Sequence, residues 1–506
     1  MMRLNKQFLN KQLKGATLIG VAVLFLGACA TGGAGQANHP DELVFGDREL
    51  TFLDREDYRY ELPGGDVMYL VTDRALPLVK MRVYSRAGNY LLGDLPAGSG
   101  GLTASMLRDG GAGELKPADL DERLDFLATN VSFSIGNTGA SASLDSLSSN
   151  FEESLNLMMD MLVAPQFDEE RLRIAVDRQV EAMRRRNDDT RSIEPRVWSQ
   201  LMLGEDFFAT RVATQASVES INPDVMRDVV GRIFGRGDLV IAVSGDIDAD
   251  TARAALGKAL ARLPEASELP SIPDTLSPGD PGVYTVFKDD VNQTRVTVGL
   301  PGPRVNNPDE FAIAVMNDIL GGGGFTSRIT SRVRSDEGLA YSAGSRFQLG
   351  RHYDGQFRAF FQSKNASVPQ ALAIVLEEVE RIRTAPVTEQ ELSTAIESRL
   401  AFLADLYASA ESASRRFAAD EINSEPADRW RTYEANIRKV SIADVQRVAE
   451  KYLDPAQLRI LLVGKIDEAL AGDGNHGTVE SVTGKTIRAI ALKDPLTQQP
   501  LADAAP

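Results

Sequence analysis

Arg334 and Tyr341 stand seven residues apart in the segment Arg334-Ser-Asp-Glu-Gly-Leu-Ala-Tyr341, just downstream of a glycine turn, Gly321 to Gly324. A guanidinium offers a planar fork of donors that holds a carboxylate or carbonyl oxygen through two parallel hydrogen bonds. A phenol aimed at a carbonyl oxygen steadies the negative charge that builds there during nucleophilic attack, an effect worth about 2.7–4 kcal/mol per donor. Together the two side chains could serve as half of an acyl-transfer site, with the arginine positioning and the tyrosine stabilising. Missing is a nucleophile, or a metal to generate one. The chain has three histidines, His39, His352 and His476, and no two are close in sequence. The glycine run is not followed by Gly-Lys-Ser/Thr, so it is no phosphate loop. It permits a tight turn and a close backbone approach. An isolated arginine at a helix end and a tyrosine opening a strand would be ordinary structural residues; the motif around this pair singles it out.

That motif resembles the second-half signature, R-x-x-x-G-L-x-Y, of the pitrilysin/insulinase-type zinc peptidases. The resemblance covers roughly residues 50–470 and is strongest at 310–345. In that family a first-domain helix carries H-x-x-E-H, whose spacing puts two zinc-binding imidazoles on one helical face with a general base between them. The equivalent segment here is Gly98-Ser-Gly-Gly-Leu-Thr-Ala-Ser-Met-Leu-Arg-Asp-Gly-Gly111. The family's histidines fall on Gly101 and Ser105 and its base on Ala104. A further zinc-binding glutamate, from a later helix, falls on Ala182. None of these four side chains suits zinc. Glu181 is adjacent but about 100° round the helix. Asp109, Glu114 and Asp119 read as a solvated surface. The family's His-Pro-Tyr-Gly segment is replaced by Asp206-Phe-Phe-Ala-Thr.

The resemblance therefore implies the non-zinc subunit of a two-subunit peptidase, binding no metal itself. The partner would be a zinc-bearing homologue with H-x-x-E-H, and Arg334 and Tyr341 would act in trans at its site. Four homologous domains would enclose a chamber that admits peptides or unfolded polypeptide. Two other readings stay open: a non-catalytic peptide-binding or scaffold lipoprotein of the same fold, and an enzyme active alone through an unrelated site.

The elements that must position these residues repeat at about 220 residues. Leu239-Val-Ile-Ala-Val-Ser-Gly245 answers Arg459-Ile-Leu-Leu-Val-Gly464, and each is preceded by a capped helix, at Ser220 and at Ser441. The amphipathic helices from Phe151 and Val368 both stop at a proline. The glycine turns Gly98–Gly101 and Gly321–Gly324 also fall in register. Alternating runs at Asp66, Leu78, Thr294 and Asp354 read as strands. The expectation is an α+β protein of two homologous domains of the processing-peptidase-like fold, related by internal duplication. The boundaries expected are 49–265, a Pro-rich linker at 266–282, 283–468, and a flexible tail at 469–506.

Residues 1–28 read as a signal peptide: basic from Arg3 to Lys14, then an apolar run too short to span a bilayer. Leu26-Gly-Ala-Cys29 resembles a bacterial lipobox, which would leave lipid on Cys29, the sole cysteine, with 29–48 as a tether. The expected location is the periplasm, anchored to a membrane through that lipid, and Ala30 favours the outer membrane. The net charge of −17 becomes about −21 without the four cations of the signal, which argues against nucleic acid as a partner.

Overall fold

The computed structural model describes residues 52–501. The chain runs β1 (Arg59–Glu61), β2 (Val67–Thr72), β3 (Leu78–Ser85), α1 (Ser99–Asp109), α2 (Pro117–Phe126), β4 (Asn130–Ile135), β5 (Ala140–Leu147), α3 (Phe151–Val163), α4 (Glu169–Arg184), α5 (Thr190–Leu203), α6 (Gln215–Glu219), α7 (Pro223–Ile233), β6 (Val240–Gly245) and α8 (Ala249–Leu260). It continues with β7 (Gly282–Phe287), β8 (Gln293–Gly302), α9 (Glu310–Asn317), α10 (Arg328–Thr330), β9 (Ala340–Gln348), β10 (Gly355–Lys364), α11 (Val368–Thr384), α12 (Glu389–Leu403), α13 (Ala410–Ile422), α14 (Arg429–Arg438), α15 (Ile442–Tyr452), β11 (Arg459–Gly464), α16 (Ile466–Ala471), α17 (Val479–Thr483) and β12 (Ile487–Ala489).

The strands form two mixed sheets, ordered β1-β2-β6-β3-β5-β4 and β12-β7-β11-β8-β10-β9. In each, the first long strand pairs in parallel with the last (β2 with β6, β7 with β11), and antiparallel pairings follow to the far edge. This shared topology is the α+β duplication expected from the repeat. Strands fall where alternation places them, because each sheet has one face packed on its own helices. Val79, Met81 and Val83 on β3 join Leu102, Met106 and Leu107 on α1 in the first core.

The other face of each sheet is covered by a helix from the opposite half. Ile193, Trp198, Leu201 and Met202 of α5 pack on Tyr284, Val286, Leu461 and Val463. Conversely, Ala413, Phe417 and Ala418 of α13 pack on Val67, Tyr69, Val240 and Ala242. Polar pins fix both crossings. The Trp198 indole donates to Gln356 at 2.8 Å, and Tyr69 donates to Glu421 at 2.9 Å. Gly299 is required beneath α5, since a Cβ there would meet the Trp198 ring at 2.8 Å and the Phe357 carbonyl at 2.3 Å. The exchange ties the halves together across the connecting segment near 266–282, whose Ser277 and Gly279 amides donate to the Leu203 and Leu201 carbonyls of α5.

Three expectations differ. The tail is structured: α16 and α17 are followed by β12, which adds in parallel to β7 and closes an otherwise open edge. Its polar composition hid Val479, which is fully buried. The glycine turns are not equivalent. Gly98–Gly101 opens α1, whereas Gly321–Gly324 follows α9, so by chain order its counterpart is Gly110–Gly113. Glycines suit both ends of a helix, which is why the two could be confused. Finally, Asn222 rather than Ser220 caps α7, through the amides of Asp224 and Val225; Ser441 does cap α15, with Asp444 returning the bond.

Candidate functional site

Tyr341 lies at the start of β9, an edge strand of the second sheet, and Arg334 in a π-helical turn, Ser331–Asp336, that extends α10. Such widened turns are uncommon and often occur at functional sites. The turn is held from below: the Leu339 amide donates to Val333 at 2.9 Å, and Gly338 takes a φ of 61° that leads the chain into β9. Gly321 lets the helix end approach that strand closely, because a Cβ would come within 2.5 Å of the Ser345 nitrogen. The glycine turn is thus what seats Arg334 beside β9.

The structure brings Arg334 and Tyr341 together. The guanidinium carbon lies 4.5 Å from the Tyr341 ring centroid and also 4.5 Å from that of Phe325. A cation over aromatic faces at this range is attracted by the ring quadrupoles. Both rings are solvent-exposed, Tyr341 at 84% and Phe325 at 64%. Among the described residues Arg334 has no carboxylate partner, whereas Arg332, two residues earlier, donates to Glu377 at 2.9 Å and Glu378 at 2.8 Å. The result is an oriented cation with free donors and a free phenol on the surface.

The positions matched to the zinc site behave as a group, with one exception. Gly101 and Ser105 lie one turn apart on the exposed face of α1, and with Ala182 of α4 they line a cleft of ≈ 440 Å³. Ala104 is absent from that lining and is buried in the first core. Glu181 is also outside it; its carboxylate pairs with Arg185 at 2.8 Å on the exposed side. The remaining polar side chains of the cleft are Arg178, Gln179 and Arg186. No imidazole, thiol or carboxylate lines it, and two guanidiniums oppose a divalent cation. The residues present therefore do not fit zinc. Nor do Asp109, Glu114 and Asp119 gather with others: among the described residues no cluster of three His, Cys, Asp or Glu could hold a metal. Cys29 lies outside the described residues.

Comparison with known proteins decides the relationship. A family model described as the M16 peptidase inactive domain matches residues 220–399. A protein named non-peptidase homolog YmxG, from Helicobacter pylori, is 24% identical over 330 residues, which is 63% of this chain and 73% of that one. A solved M16 peptidase inactive domain from Pseudomonas fluorescens superposes with a TM-score of 0.71 at 22% identity, covering 80% of this chain and 97% of that chain. The periplasmic protease PqqL from Escherichia coli gives a TM-score of 0.68 at 14% identity over 83% of this chain and 48% of that longer one. Residues 220–399 thus match the M16 peptidase inactive domain, and the fold of the described residues is the one seen in such domains.

Sequence reasoning missed two things. Phe325 completes the arginine sandwich, and its only signal was an aromatic placed directly after a glycine turn. The second is Arg186, the last of three consecutive arginines, which is partly buried and lines the cleft. Its guanidinium donates to the Ala213 carbonyl at 2.9 Å, and burial pulls its pKa down. Behind it Arg196 is lowered to about 10, by burial first and by Arg186 second. The segment Phe207-Phe208, standing where the family has a different motif, meets Tyr353 edge to face, with ring centroids 5.0 Å and 6.2 Å away.

Proposed function

We propose that this chain is the non-metal subunit of a heteromeric zinc peptidase, lending Arg334 and Tyr341 to the zinc site of a homologue that carries H-x-x-E-H. The observation that carries the reading is the exposed Phe325–Arg334–Tyr341 stack, with a guanidinium that has no carboxylate partner among the described residues. Arg334 would grip a substrate carbonyl or carboxylate by its fork, and the aromatic faces fix its direction. Tyr341 would donate to the oxyanion that develops on a peptide carbonyl under nucleophilic attack, the partner's zinc supplying the Lewis acid. The substrate class is peptide or unfolded polypeptide, and the zinc belongs to the partner. The protein would work in the bacterial periplasm, attached through lipid on Cys29 and sorted to the outer membrane.

The test is reconstitution. The lone chain should not cleave a quenched fluorescent peptide, and adding the zinc homologue should give activity. Tyr341→Phe should then lower kcat by about 10²–10³-fold, the range for loss of one oxyanion donor, and Arg334→Ala should chiefly raise KM. If both variants match the unchanged mixture, the half-site assignment is wrong. A second reading, a peptide-binding scaffold lipoprotein, has in its favour the non-peptidase name of the Helicobacter pylori relative. It predicts that no zinc homologue gains activity from the chain. The anchor is checked separately: labelled palmitate should be incorporated by the native chain and not by Cys29→Ser.

A further inference from the structure

We propose that the cleft between α1 and α4 is a binding site for the carboxylate of a peptide, held by Arg178 and Arg186. The proposal concerns the lone chain and does not depend on a zinc-bearing partner.

Charge accounting supports it. On α4 and its last turn, Arg171 pairs with Asp121 at 3.1 Å, Arg173 with Asp177 at 3.2 Å and Arg185 with Glu181 at 2.8 Å. The two arginines that line the cleft have no carboxylate partner among the described residues. Exposed Arg184 has none either, but it does not line the cleft. The chain holds 72 acids against 55 bases, so a shortage of anions is not the reason. Arg196 is accounted for: it donates to the Arg186 carbonyl at 3.4 Å and to Asn187 at 2.6 Å, which satisfies the end of α4, where a cation is favoured. Arg186 commits one bond to Ala213, and among the described residues Arg178 has no side-chain hydrogen-bond partner. A partly buried cation without a counter-charge carries a desolvation cost that an incoming anion relieves.

The cavity has room for that anion. Gly101 faces open space, with nothing within 4 Å of a built Cβ. Ser105 and Ala182 are equally small, so the positions that would bear bulky ligands elsewhere in the family leave a hollow. Gln179 adds an amide with no hydrogen-bond partner among the described residues. The rest of the lining includes apolar Leu102, Ala175 and Met183. Two guanidiniums beside apolar walls suit a carboxylate joined to an apolar side chain, which is the chemistry of a peptide's C-terminal residue. Asp109 accepts from Ser105 at 3.3 Å and is outside the lining; it opposes a second negative group at that end of the cleft.

The experiment is fluorescence anisotropy with the native chain and three labelled hexapeptides: one ending in a free leucine carboxylate, its C-terminal amide, and the amide with one internal glutamate. The free acid should bind about tenfold more tightly than the amide, the gain expected of charge-assisted bonds, and the preference should shrink as salt rises. Arg178→Gln should cut the preference several-fold, and the Arg178→Gln/Arg186→Gln pair should abolish it. Because Arg186 is partly buried, Arg178→Glu serves as the variant with no folding risk, and it should reverse the preference. Acid and amide binding alike, or neither binding, overturns the proposal, as does a preference that survives Arg178→Glu. Equal gain from the internal glutamate would overturn the assignment to a chain end. Millimolar acetate displacing the free acid as effectively as unlabelled peptide would overturn the assignment to a peptide.

Discussion

The first half lines the groove between α1 and α4 with Arg178 and Arg186, which have no carboxylate partner among the described residues, while the second half lines the groove between α12 and the end of α9 with Asp318 and Glu391, each of which has its arginine. Arg328 grips Glu391 through two bonds of 2.6 and 3.0 Å, and Arg399 donates to Asp318 at 2.8 Å. Corresponding helices from one duplicated ancestor thus carry opposite charge on the groove wall and opposite degrees of internal satisfaction. The paired groove is spent on holding α12 in place. The unpaired one keeps its donors for something outside the chain. The same contrast recurs within three residues of the second half, where Arg332 is tied to Glu377 and Glu378 and Arg334 is bound only by aromatic faces.

The largest effect that would break this comparison is on the paired side. The Arg328 side chain is 7% exposed, and its partner Glu391 also closes the capping box of α12 with Thr388. Arg328→Met leaves a partly buried carboxylate without its fork and should cost about 3 kcal/mol in urea unfolding. The double variant Arg328→Met/Glu391→Gln should recover much of that loss, since it removes both charges. A single-variant cost below about 1 kcal/mol would erase the distinction between a structural groove and an available one.

How far the comparison could be seen in advance depends on what each signal rests on. The duplication was legible because strands β6 and β11, helices α3 and α11 and the cap at Ser441 follow periodicity and capping, which are local. The loss of the metal set was legible because Gly101, Ser105 and Ala182 are wrong for zinc in any fold. The Arg334–Tyr341 contact was legible from a spacing that spans one turn and a strand start. Phe325, Arg178 and Arg186 were not, because whether an arginine meets a carboxylate depends on residues far away in the chain. Arg171 and Arg178 look alike on α4, yet only Arg171 meets Asp121 from α2. The reciprocal crossing of α5 and α13 was hidden for the same reason, since an amphipathic helix does not say which sheet it covers.

A smaller effect sharpens the comparison through pH. Burial works to raise the Glu391 carboxyl, but the bonds from Arg328 and Thr388 outweigh it and hold the group at about 2, below its ordinary 4.5. A carboxylate depressed in the folded state stabilises above its unfolded pKa, and that contribution is lost as pH falls through the folded value. Stability should therefore drop between about pH 5 and pH 2, by about 1 kcal/mol from this group once solvent screening is allowed for. Glu391→Gln should flatten that part of the profile in thermal melts, while Arg178→Gln should leave it unchanged.

The smallest expected effect is the one the comparison most needs. Arg178 is exposed and has no partner among the described residues, so none of the bonds among them is lost when it is removed. Arg178→Met should shift the urea midpoint by no more than about 0.5 kcal/mol in equivalent stability, the usual range for surface sites. A measured loss above about 1 kcal/mol would mean that Arg178 contributes to the fold and that its cleft is structural like its counterpart. A near-zero shift together with a several-fold cut in the free-acid preference would separate the two halves cleanly, because one substitution would then weaken binding without touching the fold. The matching substitution at Arg328 should do the reverse, unfolding α12 while leaving the first-half cleft able to bind whatever fraction of the chain remains folded.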